Sequence, residues 1–165
     1  MFKKVCIIGC GLIGSSIARA IRKQNLSTKI VSSNRSDSVN KKVIELKIVD
    51  DSNSDTKKMA EGSDLIIIAT PLSSYEDVIL KIKDSLKYGS ILTDVGSVKE
   101  NIISLIEKNV PKNVSWISSH PIAGTEESGP EAGFSELFKN KWCILTPSKK
   151  AKDKDIKLLK TFWEK

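Results

Sequence analysis

A glycine-rich turn between a strand-like run and an amphipathic helix constrains the fold of this chain more than any other feature. Residues 4–8 form a short β-branched run, and residues 12–23 carry apolar side chains at helical spacing. Between them stands the pattern G-x-G-x-x-G, spelled Gly9-Cys10-Gly11-Leu12-Ile13-Gly14. In this strand–turn–helix context the pattern predicts the first turn of a dinucleotide-binding sheet; the alternative is a glycine-rich turn without a ligand.

Each glycine of this turn has its own expected role. Gly9 permits the tight turn, Gly11 leaves the backbone open to a pyrophosphate, and Gly14 lets the helix pack closely on the strand. The free N–H groups at the helix start and the helix dipole favour a bound anion. We therefore predict that Gly9, Gly11, Leu12, Ile13 and Gly14 contact the phosphates of a cofactor.

Strand-like and helix-like patterns alternate along the rest of the chain. The predicted strands cover residues 4–8, 29–32, 64–69, 90–94, 115–118 and 141–145, and the predicted helices residues 12–23, 36–47, 75–86, 98–109 and 153–165. Repeated β–α units imply parallel strands joined by right-handed crossovers. The expected fold class is α/β, a Rossmann-like, doubly wound and mostly parallel sheet in three αβα layers. Ligands of such sheets lie at the carboxyl ends of the strands.

Length and composition are those of one soluble domain. The chain has 165 residues, of which 39% are hydrophobic and 28% charged. The longest apolar run, residues 65–69, is too short to span a bilayer, and no export signal precedes the first strand, so we expect a cytoplasmic protein. The last predicted helix reaches residue 165 without a glycine cap or a proline, so we expect residues 1–165 to be a truncated dinucleotide-binding domain.

The net charge of +7 comes mainly from scattered lysines. Arginine clusters with interleaved aromatic residues, which are typical of nucleic-acid-binding proteins, are missing, so we expect neither a nucleic-acid nor a membrane partner. A positive field that attracts anionic ligands fits the charge better. The three cysteines form no C-x-x-C pattern or cluster with histidine, and we expect no metal site.

The end of the second predicted strand bears on cofactor choice. Its sequence, Ser32-Ser33-Asn34-Arg35-Ser36, lacks the acidic residue that usually binds the ribose 2′-hydroxyl of NAD. Asn34, Arg35 and Ser36 can all hydrogen-bond a 2′-phosphate, and arginine can do so through two parallel bonds. We therefore predict that NADP binds at least as well as NAD. The alternative is that Arg35 is an exposed side chain without a ligand.

His120, the single histidine of the chain, is the candidate general base. We expect it to open a loop directly after a predicted strand, and the ordinary pKa of histidine lies near working pH. Upstream, Ser97 follows the strand predicted to end at Asp94. Ser97 can also cap the following helix, with Glu100 completing a capping box. Asp94 is expected to make a turn hydrogen bond and is assigned no chemistry.

Three motifs in order resemble the prephenate/arogenate dehydrogenase family. They are Thr93-Asp94-Val95-Gly96-Ser97-Val98-Lys99, His120-Pro121-Ile122-Ala123-Gly124-Thr125-Glu126 and Lys141-Trp142-Cys143-Ile144-Leu145-Thr146-Pro147. With the glycine turn, the resemblance extends from residue 9 to residue 147. It implies oxidative decarboxylation of prephenate to 4-hydroxyphenylpyruvate, of arogenate to tyrosine, or of both. Hydride would pass to NAD or NADP, and we favour NADP.

The resemblance also implies roles for individual residues. His120 would hydrogen-bond the C4 hydroxyl of prephenate and assist hydride departure, and Ser97 would contact the same hydroxyl near the nicotinamide. Thr125 and Glu126 would border the substrate pocket, although they could be ordinary loop residues. Thr70-Pro71 would line the cofactor. Lys99 is expected on the surface. Members of the family carry a second, helical domain that forms a homodimer and supplies an arginine to the substrate carboxylate.

Two other functions stay open at this point. One is a β-hydroxyacid or imine reductase on the same nucleotide-binding domain, although the loop of residues 120–129 argues against it. The other is a non-catalytic NAD(P)-binding module or redox sensor. Retention of Ser97 and His120 argues against that function, because a pure sensor needs neither residue.

Overall fold

The computed structural model describes residues 1–98 and 100–165. Within them, the strands are β1 (Phe2–Ile8), β2 (Ser27–Ser33), β3 (Asp51–Asn53), β4 (Leu65–Ile68), β5 (Ile91–Asp94), β6 (Ser115–Pro121) and β7 (Cys143–Pro147). The helices are α1 (Leu12–Lys23), α2 (Asp37–Glu45), α3 (Thr56–Ala60), α4 (Tyr75–Ile82), α5 (Glu100–Asn109) and α6 (Asp153–Glu164), with 3-10 turns at Leu72–Ser74 and Lys83–Ser85. Lys99, the predicted surface lysine, lies outside the described residues. The same is true of the side chain of Glu100, on which the predicted capping box depends.

The strands form one sheet in the order β3-β2-β1-β4-β5-β6-β7. Strands β1 to β6 are parallel, and β7 pairs antiparallel with β6 at the edge. The strand order reverses between β1 and β4, which makes the topological switch point of a doubly wound sheet. The predicted Rossmann-like, mostly parallel fold is confirmed.

Strand β4 shows why the sheet must be covered on both faces. All four of its residues are fully buried. Leu65 and Ile67 belong to one apolar cluster, which also holds residues of α1 and α6, whereas Ile66 and Ile68 belong to a second cluster with residues of α3 and α4. Side chains alternate across a strand, so an unbroken apolar run supplies both cores.

The structure departs from the predicted elements at β3 and α3, which were not predicted. Strand β3 is a three-residue polar edge strand, and α3 is a helix of five residues, so neither carries a usable periodicity. The helix predicted over residues 36–47 is shorter, because Lys47 adopts a positive φ of 54° just beyond α2. The helix predicted over residues 75–86 ends as α4 at Ile82 and continues as a 3-10 turn.

His120 lies inside β6 and not in a loop after it, which corrects the prediction. The strand predicted over residues 115–118 extends to Pro121 because β7 pairs with its last residues, including His120 opposite Ile144. This pairing is long-range, so no local pattern around His120 reports it. His120 is therefore held in the sheet through its pairing with β7.

Candidate active site

Most of the predicted site residues lie at one edge of the sheet, at the carboxyl ends of four neighbouring strands. Residues 9–14 follow β1, Thr70 and Pro71 follow β4, Ser97 is the third residue after β5, and His120 is the second-last residue of β6. In a doubly wound sheet this edge is where ligands bind, at the switch point between β1 and β4.

Gly9 brings the glycine turn against the end of β4. Its φ is +95°, a conformation that favours glycine, and its N–H donates to the Ser33 carbonyl at 2.9 Å. A Cβ at this position would lie 2.8 Å from the Ala69 carbonyl oxygen and 2.9 Å from Thr70 Cγ2. Only glycine therefore fits between the turn and β4.

The other two glycines of the turn have opposite surroundings. A Cβ on Gly14 would lie 2.0 Å from the Gly9 carbonyl oxygen, so α1 contacts the turn through bare backbone. A Cβ on Gly11 would meet nothing within 4 Å in the described residues. Gly14 therefore serves packing, whereas Gly11 leaves open space in front of the first turn of α1.

The start of α1 is suited to an anion. Gly11 is its N-cap, no side chain of the described residues caps the helix, and its first turn holds no acidic residue. The first N–H groups of a helix lack intrahelical partners, and the helix dipole is positive at this end. Leu12 and Ile13 present their backbone here and are partly exposed.

Thr70 contributes a buried hydroxyl without a partner. Its Oγ1 is enclosed and makes no hydrogen bond to any described residue. A buried polar atom of this kind costs stability unless a water or ligand satisfies it. With the open space at Gly11 and the uncapped helix, this orphaned hydroxyl fits the pyrophosphate and nearby groups of a dinucleotide.

Asn34 has a different environment from the one predicted. It is buried, and its Oδ1 accepts the Cys10 N–H at 2.6 Å. Its Nδ2 donates to Asn40 Oδ1 at 3.0 Å, and further bonds reach Ser32 and Ser52. The Asn34 amide thus connects the glycine turn to β2, β3 and α2, and this use of its side chain could not be inferred from spacing.

Arg35 and Ser36 project from the protein beside this connection. Both are exposed, and the Arg35 side chain makes no hydrogen bond or ion pair within the described residues. Ser36 is the N-cap residue of α2, and its hydroxyl lies 2.6 Å from that of Ser38. At the end of β2, where a ribose would lie, the Arg35 guanidinium thus has no partner among the described residues, and the Ser36 hydroxyl is bonded to that of Ser38.

Asp94, to which the sequence analysis assigned no chemistry, is a fully buried carboxyl group at the end of β5. Its Oδ1 accepts hydrogen bonds from Ser118 Oγ and the Ser119 N–H, at 2.6 and 3.3 Å. Its Oδ2 accepts from the Gly96 N–H and Tyr75 Oη, at 2.9 and 3.1 Å. The motif around Ser97 thus contains a buried polar centre that links two strands.

The two candidate catalytic residues differ in exposure. His120 is half-buried, and its imidazole makes no hydrogen bond to a described residue, so both ring nitrogens are available to a ligand. Ser97 is exposed in a bend after β5. Since β5 and β6 are hydrogen-bonded neighbours, the sheet brings the two segments together at one edge.

Thr125 and Glu126 lie in the exposed loop that follows β6. The Thr125 hydroxyl accepts the Glu127 N–H at 3.2 Å, which makes a local turn. The loop continues to Gly133, where a Cβ would lie 2.1 Å from Ser15 Oγ. This anchor of the loop on α1 was missed, and the only local signal for it is the pair of small side chains at Ser15 and Ser16.

The described residues show neither a metal cluster nor a membrane helix. No three His, Cys, Asp or Glu side chains among them are grouped so as to hold a metal ion. In the same part of the chain, every helix is too short or too polar to cross a bilayer.

Comparison with known proteins then gives the family. Residues 17–165 match the family described as "Prephenate dehydrogenase, nucleotide-binding domain". The chain belongs to this family. The predicted resemblance is therefore confirmed, and it rests on most of the chain and not on short motifs alone.

Individual members of the prephenate dehydrogenase family support this membership. Cyclohexadienyl dehydrogenase of Zymomonas mobilis is 34% identical over 99% of this chain and 56% of its own length. Prephenate dehydrogenase of Lactococcus lactis is 37% identical over 87% of this chain and 41% of its own length. The chain thus spans about half the length of the curated relatives it matches.

Solved structures agree with the fold. Prephenate dehydrogenase from Aquifex aeolicus, solved with hydroxyphenyl propionate and NAD+, superposes with a TM-score of 0.91 at 30% identity. The match covers 99% of this chain and 57% of that one. Synechocystis arogenate dehydrogenase superposes with a TM-score of 0.86 at 27% identity, over 98% of this chain and 56% of that one.

Proposed function

We propose that this chain is the nucleotide-binding part of a dehydrogenase that oxidatively decarboxylates prephenate, arogenate or both, with hydride transfer to NAD(P). The observation that carries the proposal is the position of His120. The only histidine of the chain lies on the same sheet edge as the glycine turn, with an imidazole free of described partners. Family membership supports the choice of substrate.

The residues of this chain would act on the substrate hydroxyl and on the cofactor phosphates. NAD(P), when bound, accepts a hydride from the ring carbon that carries the hydroxyl group. His120 takes the hydroxyl proton as the carbonyl forms, and Ser97 orients the same oxygen. The ring carboxylate then leaves as CO₂, its electron pair restores aromaticity, and a proton returns to the oxygen to give the phenol.

The glycine turn and Thr70 would hold the cofactor in place for this transfer. The N–H groups at the start of α1 would face the pyrophosphate, and Thr70 Oγ1, with Pro71 beside it, would line the cofactor at the end of β4. Alignment of the hydride donor and acceptor accounts for much of the rate of such a step. Thr125 and Glu126 would border the substrate, from the loop after β6.

We further propose that NADP binds at least as well as NAD. The position of the usual acidic residue is taken by Asn34, which is uncharged and already bonded to Cys10 and Asn40. Arg35 is exposed beside it with its guanidinium free of described partners, and Ser36 adds a hydroxyl. A 2′-phosphate would meet one cation and no carboxylate at the end of β2, although Asp37 follows in the first turn of α2.

We propose that further residues complete the substrate site. Since the chain spans about half the length of its relatives, we propose that a helical domain supplies the dimer contact and the group that binds the substrate carboxylate. The residues that distinguish the keto group of prephenate from the amino group of arogenate would belong to that part as well.

The test follows cofactor reduction by absorbance with prephenate or arogenate and with NAD or NADP. It uses this chain and the longest natural polypeptide that contains it. Reduction that is abolished by His120→Ala, with nucleotide affinity retained, supports the proposal. Activity only in the longer polypeptide assigns this chain the cofactor-binding part of the site. Absence of reduction with either substrate in both proteins contradicts the proposed activity.

A further inference from the structure

Asp94 joins the two segments that carry the candidate catalytic residues. Its Oδ2 accepts the N–H of Gly96, the residue before Ser97, at 2.9 Å. Its Oδ1 accepts the N–H of Ser119, the residue before His120, at 3.3 Å. One buried carboxyl group therefore bonds to the backbone next to both residues, with one oxygen for each segment.

The turn that carries Ser97 also packs directly on this carboxyl group. A Cβ at Gly96 would lie 3.0 Å from Asp94 Oδ2, 3.1 Å from Tyr75 Oη and 2.6 Å from Leu72 Cδ2. The absence of a side chain at Gly96 lets the backbone approach the carboxyl group closely. The position of Ser97 thus depends on where Asp94 is held.

Two hydroxyl groups hold Asp94 in turn. Ser118 Oγ bonds to Oδ1 at 2.6 Å, and Tyr75 Oη bonds to Oδ2 at 3.1 Å and to the Ile68 carbonyl at 3.4 Å. Burial first, then the charge of Asp94, raises the pKa of Tyr75, so its hydroxyl remains a donor over the working pH range. Through these bonds Asp94 is tied to β4, α4 and β6 at once.

Ser119 extends the connection to α6 and makes a second bond to β5. Its hydroxyl lies 2.7 Å from Thr93 Oγ1 and accepts from Trp163 Nε1 at 3.3 Å. The backbone just before His120 is therefore fixed from β5 and from α6 as well as by Asp94. These side-chain bonds lie on the residue before His120, whereas the imidazole itself makes no hydrogen bond to a described residue and stays available to the substrate.

We propose that Asp94 is a positioning residue that sets the turn bearing Ser97 relative to the strand bearing His120. The proposal rests on the proposed function, because it concerns the alignment of these two residues on the substrate hydroxyl. Asp94 is not exposed and touches no substrate in this scheme. It acts by holding two backbone segments at a fixed separation, and hydride transfer is sensitive to displacements of about 1 Å.

The decisive variant is Asp94→Asn, which keeps the shape and removes the second acceptor oxygen. Both oxygens of Asp94 accept a backbone N–H, one from Gly96 and one from Ser119. Whichever way the asparagine amide is turned, its NH₂ group faces an N–H that cannot reorient. One of the two hydrogen bonds, from the Gly96 N–H or from the Ser119 N–H, must therefore break.

Asp155→Asn is a matched control. Asp155 is also buried and also bonds to β6, through Ser115 Oγ at 2.5 Å. Ser115 begins β6, at the end of the strand remote from His120. The control thus changes a comparable buried carboxyl group on α6 that bonds to the same strand, without touching either catalytic segment.

The readouts are turnover of the longest natural polypeptide with prephenate, nucleotide affinity, and the imidazole NMR signal of His120 in this chain, which is unambiguous because the chain has one histidine. We expect Asp94→Asn to lower kcat on the order of 100-fold with nucleotide affinity retained. We also expect it to shift or broaden the His120 signal. Asp155→Asn should leave kcat and this signal near those of the wild type.

Ser118→Ala is a second variant that tests the proposal if Asp94→Asn fails to fold. It removes one donor to Asp94 and leaves both backbone N–H bonds, so it should change kcat and the His120 signal in the same direction by less. Wild-type kcat and an unchanged His120 signal in folded Asp94→Asn would overturn the positioning role, as would equal effects of Asp155→Asn. A wild type that does not reduce NAD(P) would contradict the proposed function, and the NMR comparison would still decide whether Asp94 positions His120.

Discussion

Gly11→Ala separates nucleotide binding from folding. Gly11 has a φ of −74°, which any L residue can adopt, and a Cβ there meets nothing within 4 Å of the described residues. The added methyl group would occupy the space in front of the uncapped first turn of α1. We therefore expect a protein that folds normally and binds NAD(P) poorly.

Two opposing contributions set the expected change in stability of Gly11→Ala, and the loss of one hydrogen bond sets the expected change in nucleotide affinity. Replacing glycine by alanine at a compatible φ stabilises by about 0.4–1 kcal/mol, whereas alanine is a poorer N-cap than glycine by a similar amount. The net change in the free energy of unfolding should be under about 1 kcal/mol, or about 4 °C in Tm. Loss of one charge-assisted hydrogen bond to the pyrophosphate, about 1.5–3 kcal/mol, weakens binding roughly 10- to 100-fold.

Gly14→Ala is the matched comparison. Its Cβ would lie 2.0 Å from the Gly9 carbonyl oxygen and 3.2 Å from Ile7 Cγ2, so backbone must move. Overpacking typically costs about 1–3 kcal/mol, and contact with rigid backbone places this site at or above the upper value. A loss near 3 kcal/mol lowers Tm by roughly 6–12 °C for a chain of this size.

The measurements are thermal unfolding without ligand and calorimetric titration with NAD and NADP. The pattern expected is unchanged Tm with weak binding for Gly11→Ala, and lowered Tm for Gly14→Ala. Binding at the wild-type level by Gly11→Ala would refute the assignment of the pyrophosphate to this turn. A large Tm loss in the same variant would refute the claim that the space at Gly11 is open.

Three further predictions concern other parts of the molecule. Arg35→Ala should weaken NADP about 10- to 100-fold and NAD little, since it removes a charge-assisted bond to the 2′-phosphate; equal weakening in calorimetry would count against the NADP preference. Burial raises the pKa of the Cys6 and Cys10 thiols from 9.0 to about 12. The unfolded chain therefore releases these protons first as pH rises. Stability should fall as pH rises from 9 toward about 12, and urea unfolding of the double serine variant should show a flatter dependence on pH. Gly133→Ala should loosen the loop anchor by about 1–3 kcal/mol because its Cβ would lie 2.1 Å from Ser15 Oγ, and unchanged proteolysis of the loop would argue against this anchor.

Most of the fold could be predicted because its signals are local and strong. The glycine turn follows from its motif, strand β4 from its unbroken apolar run and α1 from its helical spacing, and α1 has the predicted bounds, Leu12–Lys23. Strand β3 could not be predicted, because its three polar residues are held as a strand only by pairing with β2. Its structure comes from its neighbours and not from its own side chains.

The sequence singles out the chemistry-bearing residues proposed for the site but not the hydrogen bonds that connect them. His120 stands out because it is the only histidine, yet its placement inside β6 depends on β7, which returns along the chain more than 20 residues later. Asn34 stands out because an acidic residue is expected there. Its actual bonds to Cys10 and Asn40 require the folded arrangement of three separate segments.

Asp94 illustrates which hydrogen bonds of the site can be predicted from the sequence and which require the structure. From the sequence it is a strand-ending aspartate followed two residues later by glycine, a pattern that a local turn explains fully. The turn bond to Gly96 is indeed present, at 2.9 Å from Oδ2. The other oxygen bonds to Ser118 and Ser119, which are more than 20 residues away along the chain. A carboxyl group has two oxygens, and a local pattern accounts for only one of them. Buried carboxyl groups with one local and one remote partner are therefore the residues whose positioning roles only a structure can assign.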